Sequence, residues 1–117
     1  MTPLEEMSLK IKQFCEERDW VQYHGPKDLA IGVSTEAAEL LELFRFLDEK
    51  DCAELLSRSE GRTAVADELA DVLFFLIRFA QLNDFDLIQA LQEKMIKNAR
   101  KYPVEKAKGN NQKYTEL

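Results

Sequence analysis

The middle of the segment Thr63 to Leu82 is apolar nearly all the way round a helix, and no other stretch constrains the fold so strongly. Val72-Leu-Phe-Phe-Leu-Ile77 cannot turn wholly toward one core, so this helix must be covered on several sides, which makes it the best candidate for a dimer interface. The same helix opens with Glu68-Leu-Ala-Asp71, and the helical stretch after Pro26 carries a second pair, Glu36-Ala-Ala-Glu39, followed by Leu40, Leu41 and Phe44. Residues three apart on an α-helix lie about 60° apart around the axis, so each pair presents both carboxylates to one side. Two such helices packed side by side bring four acids together. Inward carboxylates repel one another and stay ionised only with a compensating cation, and hard oxygen ligands favour Mg²⁺, Mn²⁺ or Ca²⁺. Glu42, further along, reads as an outer ligand or, more simply, as a solvated residue.

Around these two helices the spacing predicts an all-α bundle of about four main helices. Thr2-Pro3-Leu4-Glu5 has the form of a capping box with proline at the first helical position, predicting a helix over 3–19 with Leu4, Met7, Ile11, Phe14 and Cys15 on its apolar stripe. Asp19 to Lys27 reads as an ordered loop rich in aromatic and turn residues. The second helix is predicted over 27–48, ended by the charged run Asp48 to Asp51, with a short helical turn or two at 53–58. Thr63 to Leu82 is the third long helix. Asp84 or Asp86 caps a fourth that reaches Tyr102 and stops at Pro103. The domain is expected over 1–103, with 104–117 a polar tail lacking periodicity.

The 117 residues make one domain, thin for an enclosed pocket unless a second subunit supplies walls. Twenty-two acidic against 16 basic residues give a net charge of -6, which disfavours a nucleic-acid polymer as ligand but not a small phosphate ligand brought in on a metal. Cys15 and Cys52 have no metal-ligand spacing and are read as reduced thiols. No basic-then-apolar leader opens the sequence and no run approaches the roughly 20 apolar residues of a membrane span, so a cytoplasmic location off the membrane is expected.

The residues Glu36, Glu39, Glu68 and Asp71, set in Glu-Ala-Ala-Glu-Leu and Asp-Glu-Leu-Ala-Asp-Val-Leu, resemble the MazG-like all-α nucleoside triphosphate pyrophosphohydrolases, and most nearly the dCTP pyrophosphatase group. The similarity extends to Glu17-Arg18-Asp19-Trp20, His24 before Pro26, Leu43-Phe44, Lys94-Met95, Asn98, Tyr102-Pro103 and the ending Lys113-Tyr-Thr-Glu-Leu117. The resemblance implies hydrolysis of a deoxynucleoside triphosphate between its α and β phosphates, with release of pyrophosphate, as cleansing of the nucleotide pool. It implies helical dimers, often paired into homotetramers.

On this reading Glu36, Glu39, Glu68 and Asp71 hold Mg²⁺, or Mn²⁺ in its place, since a triphosphate will not approach four carboxylates without a cation between them. Glu39 is favoured as the base that takes the proton of the attacking water, although the sequence does not separate ligand from base. The resemblance assigns Lys94 and Asn98 to phosphate or sugar and Tyr102 to phosphate. Trp20, His24 and Phe46 are the candidates for the nucleobase, a stacked base gaining about 1 to 3 kcal/mol. Each has a plainer role available, as a helix-end anchor, a loop residue and interface packing respectively. Phe46 stands where the dCTP-preferring relatives carry tryptophan, and Asp28 where they carry asparagine, which leaves base preference open. The alternatives are a dUTP or phosphoribosyl-ATP pyrophosphohydrolase on the same scaffold, and a non-catalytic helical adaptor with a structural cation. Lys108 and Lys113, on either side of Gly109-Asn-Asn111, are expected to let the tail close over bound nucleotide.

Overall fold

A computed structural model describes residues 1–117, and every element in it is helical. The first helix, α1 (Pro3–Glu17), starts as its sequence predicts: Glu5 N–H donates to Thr2 Oγ1 (3.2 Å), and Thr2 N–H donates back to Glu5 Oε2 (2.9 Å). It ends two residues before Asp19, whose left-handed φ of 53° turns the chain; aspartate tolerates that conformation better than most residues. The ordered loop that follows contains a 3₁₀ turn at Val21–Tyr23.

Helix α2 (Pro26–Glu42) is shorter than the 27–48 expected. Beyond Glu42 the backbone tightens, Leu43 N–H donating to Leu40 O and Phe44 N–H to Leu41 O, so apolar periodicity there continues through turns, not a helix. The charged run Asp48 to Asp51 starts a helix where the sequence reading has it end one. Asp48 Oδ1 accepts from Asp51 N–H at 2.8 Å, and Glu49 and Asp51 lie in the first turn of the nine-residue α3 (Glu49–Ser57). Helix α4 (Ser59–Leu82) begins four residues before the predicted Thr63. Gly61 permits this early start: a Cβ there would run into the Leu55 carbonyl, so only glycine lets α4 fold back so closely on α3.

The chain divides into two compact units, Met1–Asp84 and Phe85–Leu117. In the first, α4 is the spine, with α2 packed along most of its length and α1 and α3 also against it. Gly32 faces Phe75 while Glu36 faces Glu68, so α2 and α4 run antiparallel. A Cβ on Gly32 would lie 2.5 Å from Phe75 Cδ1, which measures how closely the two helices approach. Ile11, Cys15, Leu29, Ile77 and Ala80 are buried where α1, α2 and α4 contribute to the core. Leu69, Leu73 and Leu76 form an uncovered stripe on α4, 52%, 49% and 39% exposed. The broad apolar character of this helix is therefore only partly absorbed within one chain.

The second unit is built on α5 (Leu87–Lys101). Asp86 is its cap, its Oδ1 accepting from Gln89 N–H at 3.0 Å, whereas Asp84 takes a left-handed φ of 59° just beyond the end of α4. Ile88, Leu91 and Met95 on this helix are each more than half exposed. The tail contains more order than its composition predicts: a short helix α6 (Val104–Ala107) and a 3₁₀ turn at Tyr114–Glu116. Tyr114 meets the Tyr102 ring edge-on, centroids 6.0 Å apart, and Lys101 Nζ lies 4.7 Å from the Tyr114 ring centre.

Candidate active site

The close approach of α2 and α4 at Gly32 brings the two acid motifs into register. Carboxylate oxygens of Glu36, Glu39 and Glu68 all lie within 4.8 Å of one another. Glu36 and Glu68 are half-buried and Glu39 is exposed. Oε2 of Glu36 and Oε2 of Glu68 are shut off from solvent and have no hydrogen-bond partner. A buried carboxylate oxygen without a donor is costly. Desolvation accordingly pushes both carboxyls above their ordinary value, and the adjacent Glu39 carboxylate and the charge of Asp71 push the same way. The unpartnered oxygens and the all-carboxylate donor set fit a hard divalent cation, which would satisfy them and remove the repulsion.

Asp71 stands outside the closest trio but its charge acts on both Glu36 and Glu68, so the structure brings three of the four expected ligands into contact range and the fourth into electrostatic range. Asp67, not singled out in sequence, also acts on Glu68; it precedes the motif directly, and that adjacency is its only sequence signal.

Two of the three base candidates pair. Trp20 stands edge-on to Phe14 (centroids 5.5 Å) and to His24 (6.3 Å), with 38% of its surface exposed. It is therefore a helix-end anchor that also keeps an accessible face. Phe46 is 84% exposed, with the Arg45 guanidinium 4.9 Å from its ring, and does not join that pair. Lys94, Asn98 and Tyr102 belong to the second unit: Lys94 is exposed, Asn98 half-buried, and Tyr102 N–H closes α5 on Asn98 O at 2.9 Å.

Sequence reasoning also passed over Arg78. It is 1% exposed, and its Nε donates to His24 Nδ1 at 2.9 Å while Nη1 donates to Gln81 Oε1 at 2.6 Å. The signal was available, since Arg78 is the only charged residue between Asp71 and Asp84. Burial and the neighbouring guanidinium hold His24 below the ordinary histidine value, with Asp28 pulling weakly the other way.

A family model described as MazG-like matches residues 31–117. The chain belongs to the MazG-like family. Over 114 residues this MazG-like chain is 36% identical to dCTP pyrophosphatase 1 of Bos taurus, covering 97% of the chain and 68% of that protein, and 36% identical to dCTP pyrophosphatase 1 of Homo sapiens, covering 97% and 67%. Among solved structures, a pyrophosphatase from Archaeoglobus fulgidus superposes with a TM-score of 0.81 at 38% identity, over 88% of this chain and 94% of its own. The MazG-like chain is thus a dCTP-diphosphatase-like hydrolase, as the resemblance implies. Trp20 and His24 precede the family match at residue 31 but lie within the span shared with the dCTP pyrophosphatases. No helix is long and apolar enough to cross a membrane.

Proposed function

We propose that this protein hydrolyses dCTP, and dCTP modified on its base, to the monophosphate and pyrophosphate in a Mg²⁺-dependent reaction that cleanses the cytoplasmic nucleotide pool. The observation that carries the proposal is the Glu36–Glu39–Glu68 cluster with its two buried, unpartnered oxygens, in a chain 36% identical to dCTP pyrophosphatases. Glu36, Glu39, Glu68 and Asp71 would hold the ion, which supplies positive charge to offset the triphosphate and polarise the attacked phosphorus. Mn²⁺ substitutes for Mg²⁺ because both accept hard oxygen ligands.

Glu39, the exposed member of the trio, would orient a water and take its proton. The water oxygen bonds to the α-phosphorus, the bond from that phosphorus to the α–β bridging oxygen breaks, and pyrophosphate leaves with the electron pair. Trp20 offers its accessible face to the base and His24 an edge. Phe46 joins the base site only if a neighbouring subunit approaches it. Lys94, Asn98 and Tyr102 take the phosphates and sugar, as the resemblance assigns them, and the tail closes over them.

The uncovered Leu69–Leu73–Leu76 stripe supports assembly into homodimers or dimers of dimers. The test of function is product analysis with the four common dNTPs, dUTP and 5-methyl-dCTP, with and without Mg²⁺. Mg²⁺-dependent dCMP and pyrophosphate are expected; diphosphate plus phosphate, or no turnover of any nucleotide, would overturn the proposal.

A further inference from the structure

Arg78 is a buried guanidinium whose hydrogen bonds go only to neutral acceptors. None of the three ion pairs in the chain includes it. Removing a guanidinium from water is costly, and neutral acceptors recover less of that cost than a carboxylate would. What these bonds do achieve is direction. Gln81 Nε2 donates to Ser8 O (2.8 Å) and Ser8 Oγ (2.9 Å), which turns its Oε1 toward Arg78. Arg78 Nη1 donates to that oxygen, and Arg78 Nε donates to His24 Nδ1. Arginine has donors and no acceptor and does not deprotonate, so Nδ1 must carry the lone pair and the ring proton must sit on Nε2.

We propose that Arg78 is a positioning residue that fixes the tautomer of His24, leaving Nε2–H as a permanent donor that reads an acceptor at position 3 of a pyrimidine base. Cytosine carries a lone pair at N3, whereas uracil and thymine carry N–H there. A fixed donor at that edge therefore pairs with cytosine and opposes the other two. A histidine free to exchange tautomers would accept either, and a site built around a hydrogen bond discriminates far better than one built on shape alone.

The placement agrees with this role. Arg78 lies seven residues beyond Asp71 on α4, two turns along the same face, a rise of about 10.5 Å. One helix thus carries the phosphate end of the site and the support of its base end, separated by the reach of a nucleotide. His24 is half-buried and Trp20 stands beside it with an accessible face. The charges acting on His24 are Arg78 from α4 and Asp28 from α2, and its lowered proton affinity keeps the ring neutral near pH 7, as a reader of tautomers requires.

The inference rests on the nucleotide reading above, and its test separates the two. His24 is the only histidine in the chain, so long-range ¹H–¹⁵N NMR of the ring needs no assignment. The wild-type protein should show the Nε2–H tautomer alone. Arg78→Met should give a tautomer mixture, raise KM for dCTP about tenfold with kcat nearly unchanged, and lower the dCTP/dUTP ratio of kcat/KM by about the same factor. Arg78→Lys, which restores a donor, should recover part of both.

If Arg78→Met does not fold, His24→Gln and His24→Leu give the same test with Arg78 itself unsubstituted, because a glutamine amide accepts from Arg78 and donates to the base while leucine does neither. His24→Gln should keep much of the cytosine preference and His24→Leu lose it. An Nδ1–H tautomer in the wild type, an unchanged tautomer in Arg78→Met, or equal behaviour of the two His24 variants would overturn the proposal. A fixed tautomer in a protein that turns over no nucleotide would overturn the nucleotide reading and, with it, the base-reading role.

Discussion

At the scale of single residues, the acid cluster sets stability against function. Glu36 and Glu68 are held above the ordinary carboxyl value of 4.5, so the metal-free fold binds protons more readily than the unfolded chain. Their contribution to stability is complete below pH 4.5 and is lost as pH rises through their raised values. The metal-free protein should consequently gain melting temperature when Glu68 is replaced by Gln, an effect largest near neutral pH, and thermal unfolding with and without EDTA checks it. In the same variant the stabilisation by added Mg²⁺ should shrink, as linkage requires when a ligand is lost. His24 acts in the opposite sense: its lowered value contributes stability above pH 6.5 that is lost on acidification. Glu39→Gln should lower kcat by about 10²-fold or more, the usual contribution of a general base, while circular dichroism and oligomer size stay as in the wild type. Turnover within a few-fold of wild type would exclude Glu39 as the base.

At the scale of the helices, the critical dimension is the distance between α2 and α4. Gly32 sets it, because the Phe75 ring occupies the space a side chain would need. Gly32→Ala should destabilise the protein by about 1 to 3 kcal/mol through overpacking, read by chemical denaturation, and should also weaken divalent binding by moving Glu36 away from Glu68. The acid pairs were legible in sequence because i, i+3 spacing is a helix property that depends on no partner. Capping was legible where the box was complete, at Thr2. It misled at Asp48, because an acidic run after an apolar stretch looks the same whether it ends one helix or begins the next. Arg78 stood out locally as the lone charge in an apolar run, but what it does depends on a hydrogen bond to a residue 54 positions away, and the run does not name that partner.

At the scale of the whole molecule, the chain buries few apolar residues completely and leaves Leu69, Leu73 and Leu76 half-exposed on its longest helix. Fully burying one such side chain is worth about 1.5 to 3 kcal/mol, so covering the stripe with a second copy would add materially to a small core. Light scattering should find a dimer or tetramer at micromolar concentration, and Leu73→Glu should shift it toward smaller species with a lower melting temperature. A wild-type monomer would leave the stripe unexplained by self-association. The acid cluster lies within one compact unit, so Mg²⁺ affinity should survive that dissociation better than turnover does.

The measurement that bears most directly on the account is where water's oxygen goes. Hydrolysis of dCTP in H₂¹⁸O with Mg²⁺, followed by ³¹P NMR of the products, should place the label on the phosphorus of dCMP alone, with label transfer slowed about 10²-fold or more in Glu39→Gln. Label in pyrophosphate or free phosphate, or in dCMP at an equal rate without a divalent ion, would contradict an acid cluster that directs water to the α-phosphorus.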